Sequence, residues 1–118
     1  MTLRRMKTYT AETGYVYQYY FVGKRDALEA GAPATEFIFD ASADRKVTFA
    51  VSVFLPESAL RAWASAHGRP LTDSEQYAAA KLRLLRGFDQ TENMLQQGRR
   101  LLLDPGLLED LLAPLGLG

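Results

Sequence analysis

The side chains of this chain that could bind a ligand or do chemistry are concentrated in the aromatic run YVYQYYFV, at residues 15–22. Rings at this density can stack on nucleobases, pack in a core or fill an interface with another protein. Basic residues flank the predicted strands, namely Lys24, Arg25, Arg45 and Lys46. They could hold phosphate groups, so nucleic-acid binding is one hypothesis. The net charge is zero, from 14 basic and 14 acidic residues, which favours a core or a protein interface.

His67 is the only histidine, and it lies at the predicted C-terminal end of a helix. It could act as a general base beside a nucleophile, but the chain has no cysteine and no motif that presents a serine. We therefore expect a solvated ring at a helix end. Three carboxylates of one predicted hairpin, Glu36, Asp40 and Asp44, lack the spacing of a calcium loop. The sequence thus predicts no catalytic residue, no cofactor and no metal ion.

Length and composition predict a single domain that spans residues 1–118. The chain is 47% hydrophobic and 24% charged, as ordinary globular proteins are, and its length allows a core without disulfides. The absence of cysteine suits a reducing compartment, so we expect a cytoplasmic protein. No segment approaches the roughly 18 apolar residues of a membrane helix, and the charged N-terminus lacks the apolar run of a signal peptide.

Side chains along residues 15–22 alternate as in a strand whose two faces are both apolar or aromatic. Tyr15, Tyr17 and Tyr19 would share one face, while Tyr20 would lie on the other. One layer of helices can cover only one face of a sheet. The second face therefore needs a cover, which we expect to be the C-terminal segment, a second copy of the chain or a ligand.

Three further segments complete the predicted sheet region. Residues 1–13 are polar and basic and are predicted to be a flexible arm or the lead into a strand. Residues 23–35 contain two glycines and a proline and are predicted to be a loop with one short helical turn. Residues 35–55 alternate as a hairpin, with the odd-numbered residues of its second strand facing the core.

Helical spacing begins after the hairpin. Residues 56–67 predict a helix that packs Trp63 on the sheet. The sequence TDSE at residues 72–75 is a capping box that opens a long second helix. We expect this helix to end near Gly98 and to be weakened, or kinked, at Gly87.

The last twenty residues contain nine leucines. Asp104 and Pro105 have the residue types of an N-cap and first position, so residues 101–118 are predicted to be a leucine-rich C-terminal helix or tail. Such a helix could fold back on the sheet, seal a dimer or dock into a groove of another protein. Its polar face carries Glu109 and Asp110 rather than lysine or arginine, which disfavours a membrane surface.

These patterns predict an α+β domain with a three-stranded antiparallel sheet and two to three helices packed on it. The function hypothesis is a small non-catalytic protein–protein interaction module that forms a homodimer. The alternatives are nucleic-acid binding through the aromatic strand and its basic flanks, a small-ligand pocket between sheet and helices, or an enzyme without a recognisable motif. The candidate interaction surface comprises Tyr15, Tyr17, Tyr19, Tyr20, Leu107, Leu108, Leu111 and Leu112.

Overall fold

A computed structural model of the protein describes residues 6–116, which form a curled β-sheet with α-helices on one face. The strands are β1 Lys7–Thr10, β2 Val16–Glu29, β3 Ala32–Ser42, β4 Phe49–Pro56 and β5 Arg100–Leu102. The helices are α1 Glu57–His67, α2 Asp73–Gln90, α3 Met94–Gln97 and α4 Pro105–Leu112, and a short 3-10 helix follows at Ala113–Leu115. The α+β class is confirmed. The predicted three-stranded sheet is wrong, because these residues form five strands and four α-helices.

The five strands lie side by side in sequence order. The first four pair antiparallel, and β5 pairs parallel to β4. A parallel neighbour needs a crossover connection, which the helices between β4 and β5 supply. The sheet therefore has two edges, β1 and β5, contributed by opposite ends of the chain.

The largest difference from the sequence prediction is the β2–β3 hairpin, because the predicted loop at residues 23–35 is strand almost throughout. β2 continues to Glu29 and β3 begins at Ala32. The turn between them passes through Ala30 and Gly31, whose φ angles are 52° and 79°. Left-handed residues of this kind match the twist of a tight hairpin. The polar composition of this stretch hid the strand, because β2 and β3 pair there mainly through their backbones and through polar side chains such as Arg25 and Glu36.

The two edge strands are too short to show a side-chain period. Lys7–Thr10, within the predicted arm of residues 1–13, forms β1 and pairs with the start of β2. The first five residues of that predicted arm lie outside the described residues. Arg100–Leu102, within the leucine-rich segment, forms β5. Three residues of alternation cannot be separated from helical spacing, so this strand was not recognisable from the sequence.

The core lies between the sheet and the helices. Tyr17 and Tyr19 point to this side and are buried, which confirms that they share a face. The ring of Phe88 on α2 stacks on the ring of Tyr17, with centroids 4.1 Å apart and planes 6° apart. Phe88 also contacts Tyr9 and Tyr19. Most of the aromatic surface of the first predicted strand is thus used inside the chain.

Helix α2 begins with the predicted capping box. The Thr72 side chain accepts a hydrogen bond from the Glu75 amide, and the Glu75 carboxylate accepts one from the Thr72 amide. The helix ends at Gln90, earlier than expected, and continues without interruption through Gly87. A Cβ at Gly87 would lie 2.9 Å from Leu101 Cδ1, so the glycine allows β5 to approach the helix closely.

Helices α1 and α4 close the core beside α2. Trp63 of α1 is buried, as predicted, and α1 ends at Gly68 in a left-handed conformation. Asp104 caps α4 by accepting from the Leu107 amide, again as predicted. The His67 ring differs from the expected solvated side chain, because it stacks on Trp63 and its Nε2 lies 2.7 Å from Glu109 Oε1. This contact joins the end of α1 to α4.

Candidate interaction surface

The structure disperses the eight residues of the predicted interaction surface. Five of them are buried inside the chain: Tyr17, Tyr19, Leu108, Leu111 and Leu112. Leu107 is partly buried against the same core. Tyr20 lies on the opposite face of the sheet, where its hydroxyl donates to Asp40 Oδ2 at 2.7 Å. Tyr15 precedes β2 and is 49% exposed, so it is the most accessible member of the set.

The face of the sheet that carries no helices is here called the open face. Charged side chains paired with one another form a network on it. Its centre is Glu36, a buried carboxylate. Arg25 Nε donates to Glu36 Oε1 at 2.8 Å, and Ser52 Oγ donates to Oε2 at 2.6 Å. These two donors hold the pKa of Glu36 below its ordinary value. The carboxylate is therefore a structural acceptor whose hydrogen-bonding capacity is largely used.

The sheet also curls towards its open face and so helps to cover an apolar residue there, Phe54. Arg100 on β5 contacts Glu29 at the end of β2, with Nη2 and Oε2 3.1 Å apart. In a flat sheet strands three places apart would be separated by about 14 Å, so the sheet must bend towards this side. The Arg100 guanidinium lies 4.3 Å from the ring centre of Phe54, which is buried beneath it. The curl and this ion pair supply part of the cover that the second face requires.

A second uncovered region lies at the end of the sheet, between the β3–β4 turn and the loop that joins α2 to α3. It is a cavity of about 440 Å³, here called the turn cleft. Its lining includes Tyr15, Asp44, Val47, Glu92 and Leu95. Three of these are large apolar side chains with substantial exposure: Tyr15 at 49%, Val47 at 50% and Leu95 at 39%.

The β3–β4 turn gives the cleft one rigid wall. Asp44 Oδ1 accepts from the Lys46 amide at 2.9 Å and from the Val47 amide at 3.0 Å. The two amides lower the pKa of Asp44, Val47 contributing most. Arg45 adopts a left-handed conformation, with φ at 65°. The carboxylate thus fixes a turn that presents Val47 outward, before the strand begins at Phe49.

The charges beside the turn cleft have no ion-pair partner in the described part of the chain. Glu92 lines the cleft and is exposed, and Arg45 and Lys46 are exposed in the turn that supplies the lining residues Asp44 and Val47. Among residues 6–116, none of these three side chains lies within 4 Å of an opposite charge. The Asp44 carboxylate, by contrast, accepts from the backbone of its own turn. The cleft therefore combines exposed apolar groups with available charges of both signs.

The sequence singled out Tyr15 but missed Val47 and Leu95. Val47 was assigned to a core-facing strand position, which is wrong because β4 begins two residues later. Leu95 lies on the four-residue helix α3, which forms after α2 ends early. No periodic signal separates such a helix from a continuation of its neighbour, so this wall of the cleft could not be predicted.

Other kinds of site find no support in the described part of the chain. Nowhere in residues 6–116 do three His, Cys, Asp or Glu side chains converge as ligands of a metal ion. No helix in the same range is both long and apolar enough to cross a membrane. No protein-family model matches the sequence, and comparisons with curated proteins and with solved structures find no similar protein.

Proposed function

We propose that the protein is a non-catalytic interaction module of the cytoplasm that forms a symmetric homodimer through the turn cleft. The observation that carries the proposal is the cluster of three exposed apolar side chains around one cleft, with Glu92 in its lining and the exposed cations Arg45 and Lys46 in the adjoining β3–β4 turn. The cytoplasmic assignment is supported by the lack of cysteine. No feature of the described residues supplies a reaction.

The apolar part of the cleft supports a protein partner. Tyr15, Val47 and Leu95 each expose two fifths to half of their surface around the same cavity. Single exposed apolar residues are ordinary, whereas clustered ones mark binding surfaces. Tyrosine is also enriched at the centre of protein interfaces, where its ring is buried and its hydroxyl stays at the rim.

The charges support a second copy of this chain as the partner. In a twofold contact each surface patch meets its own copy in reverse. Arg45 and Lys46 of the β3–β4 turn would then face Glu92 of the other subunit, and the reverse pairing would form as well. Complementary charges of this kind fix the register of an interface.

The aromatic strand gives nucleic-acid binding less support. Tyr17 and Tyr19 are buried under α2, with a face of Tyr17 covered by Phe88. Two of the four flanking cations, Lys24 and Arg25, are engaged with Asp73 and Glu36, whereas Arg45 and Lys46 have no carboxylate within 4 Å in residues 6–116. Rings and cations that are already engaged are poor groups for stacking bases and holding phosphates.

A charge-exchange experiment tests the proposed dimer. Lys46→Glu and Glu92→Lys should each weaken self-association, because each variant places like charges against one another across the interface. The double variant restores the complementarity in reversed order and should recover most of the parent affinity. Sedimentation velocity across a concentration series at low ionic strength measures the dimer dissociation constant of all four proteins.

The controls separate charge pairing from loss of fold. Circular dichroism and thermal melts should be the same for the single variants and the parent, because both residues are exposed and unpaired. A parent chain that stays monomeric up to millimolar concentration would refute the proposal. Equal association by all four proteins would place the dimer contact elsewhere.

A further inference from the structure

The second half of β2 has a neighbouring strand on one side only. Its pairing with β3 continues as far as Glu29, whereas its pairing with β1 stops where Lys7 meets Tyr19. Within residues 6–116 no other strand lies on the β1 side, so residues 21–29 form an open edge of the sheet. The outward N–H and C=O groups of such an edge can pair with the backbone of a further strand.

Four exposed side chains lie on one face of this edge, because side chains two residues apart along a strand share a face. In chain order they are apolar, basic, acidic and apolar, namely Val22, Lys24, Asp26 and Leu28. Lys24 lies 3.7 Å from Asp73 in an exposed contact, and Asp26 has no cation within 4 Å in the described part of the chain. When the strand is reversed, the same order presents an acid where there was a base, so the pattern complements itself.

An antiparallel copy of β2 centred on Arg25 places these side chains in complementary pairs. In an antiparallel ladder, two directly opposite residues point to the same face. With Arg25 opposite its own copy, Lys24 of each chain faces Asp26 of the other. Val22 then faces Leu28 in the same way. A centre at Lys24 or at Asp26 would instead place that charge against itself, so the side chains favour a single register.

The like charges at the centre of this register are balanced within each chain. Arg25 lies on the open face, where its Nε donates to Glu36 Oε1 at 2.8 Å. Each Arg25 side chain therefore brings its own carboxylate to the contact. Opposite charges on facing strands stabilise the pair. Charged side chains commonly protect an edge from pairing with its own copy, but the alternating signs of this edge make a reversed copy favourable.

We propose that residues 22–28 of β2 pair with the same residues of a second copy of this chain, in an antiparallel ladder centred on Arg25 that joins two sheets into one. The backbone supplies the hydrogen bonds and the side chains supply the register, as in other cases of strand addition. A contact of this size is weak. It uses no residue of the turn cleft, so it goes beyond the proposed dimer and does not depend on it.

Charge exchange at the edge tests the pairing in a Leu95→Glu background, in which the turn-cleft contact is weakened. Asp26→Lys should raise the dissociation constant of the remaining self-association at least tenfold, because Lys24 then faces an introduced lysine. Adding Lys24→Asp restores opposite charges in reversed order and should recover most of the affinity. Asp110→Lys makes the same change in net charge at an exposed position of α4 and should have no effect. Sedimentation velocity at high protein concentration and low ionic strength measures all four proteins.

Single cysteines test the register, since the chain has none of its own. Facing Cα atoms in an antiparallel pair lie about 4.5–5.5 Å apart, a separation that a disulfide spans. Arg25→Cys should therefore give a disulfide-linked dimer under mild oxidation. Ala27→Cys is offset from its own copy along the ladder and should give little. Circular dichroism of the reduced proteins checks that both variants are folded.

Equal self-association of Asp26→Lys and its background would overturn the proposal, as would equal cross-linking of the two cysteine variants. Association that appears only after deletion of residues 2–5 would also overturn it, because the edge would then be covered within a single chain. The turn-cleft dimer fails by a different result, namely no effect of Leu95→Glu on the parent, so the two proposals can fail separately.

Discussion

The open face and the turn cleft are the two parts of the surface that no long helix covers, and they are built in opposite ways. On the open face, Arg25 and Arg100 are paired with Glu36 and Glu29 inside the chain. In the turn cleft, Lys46 and the charges near it have no opposite charge within reach among the described residues. Charges that are already paired gain little from a partner, whereas the cleft offers exposed apolar area beside charges that have no partner among the described residues.

This difference bears on how the two apolar faces of the aromatic strand, residues 15–22, are covered. The strand is apolar on both sides, and the sheet covers one side with helices and part of the other with its own curl. The most exposed aromatic side chain of the run is Tyr15, just before the strand begins. Groups that have no partner inside the described structure therefore indicate an interface better than the most hydrophobic residues do.

The largest expected effect comes from deleting residues 101–118, which were predicted from the sequence to be a leucine-rich C-terminal helix or tail. Five leucines of this segment are buried in the core: Leu101, Leu103, Leu108, Leu111 and Leu112. Truncating one such leucine to alanine costs about 2–5 kcal/mol, and a domain is stable by about 5–15 kcal/mol. The truncated chain should be unfolded by circular dichroism. A truncated protein with native amide dispersion would show that the segment is not part of the core.

Phe88→Ala should have the next largest effect, a loss of about 3–5 kcal/mol in the free energy of unfolding. The ring contacts Tyr9, Tyr17 and Tyr19, so its removal leaves a cavity under the aromatic strand. Urea titration measures the loss, with Leu28→Ala at a 69% exposed position as the control that should change little. A small effect of Phe88→Ala would mean that the tyrosines are satisfied by something other than α2.

The effect of Glu36→Gln on the free energy of unfolding should depend on pH, unlike the effect of a matched substitution in the turn cleft. The folded-state pKa of Glu36 is lowered, so its contribution is complete above the unfolded pKa, about 4.3, and is lost as pH falls through the folded pKa. Losing charge-assisted bonds to Arg25 and Ser52 should cost about 1–3 kcal/mol at pH 7, and the difference should shrink below about pH 4. Glu92→Gln in the turn cleft is the matched control, since no cation of residues 6–116 pairs with it.

Chemical denaturation of each variant at several pH values gives this comparison. As pH is lowered, the free energy of unfolding should fall less steeply for Glu36→Gln than for the parent. For Glu92→Gln it should follow the parent at every pH. If the free energies of unfolding of the parent and Glu36→Gln fell equally steeply at acidic pH, the Glu36 carboxylate would not be held by Arg25 and Ser52 as described.

Thr72→Ala should have the smallest effect, about 0.5–2 kcal/mol of stability, because it removes the N-cap of α2. The residue lies outside both surfaces. Its dimer dissociation constant, extrapolated to the fully folded chain, should therefore equal that of the parent. Coincident melts of Thr72→Ala and the parent would instead show that the cap contributes nothing to the helix.

The sequence predicted those parts of the fold that local rules determine. The capping box at Thr72, the burial of Trp63 and the Asp104 cap each depend on a few adjacent residues, and each is present. The missed strands depend on partners far along the chain: β5 pairs with β4, and Gly87 leaves the room in which Leu101 of β5 lies against α2. The turn cleft likewise brings residues near positions 15, 47 and 95 together, and no spacing in the sequence links them.

The most direct test of the central claim compares one substitution at two positions of nearly equal exposure. Leu95 in the turn cleft is 39% exposed, and Leu102 on the open face is 42% exposed. A glutamate at either place should change the stability of the monomer by a similar small amount. Sedimentation velocity should show that Leu95→Glu raises the dimer dissociation constant at least tenfold while Leu102→Glu leaves it within about twofold of the parent. If Leu102→Glu dissociates the dimer and Leu95→Glu does not, the interface is the open face and the account is wrong.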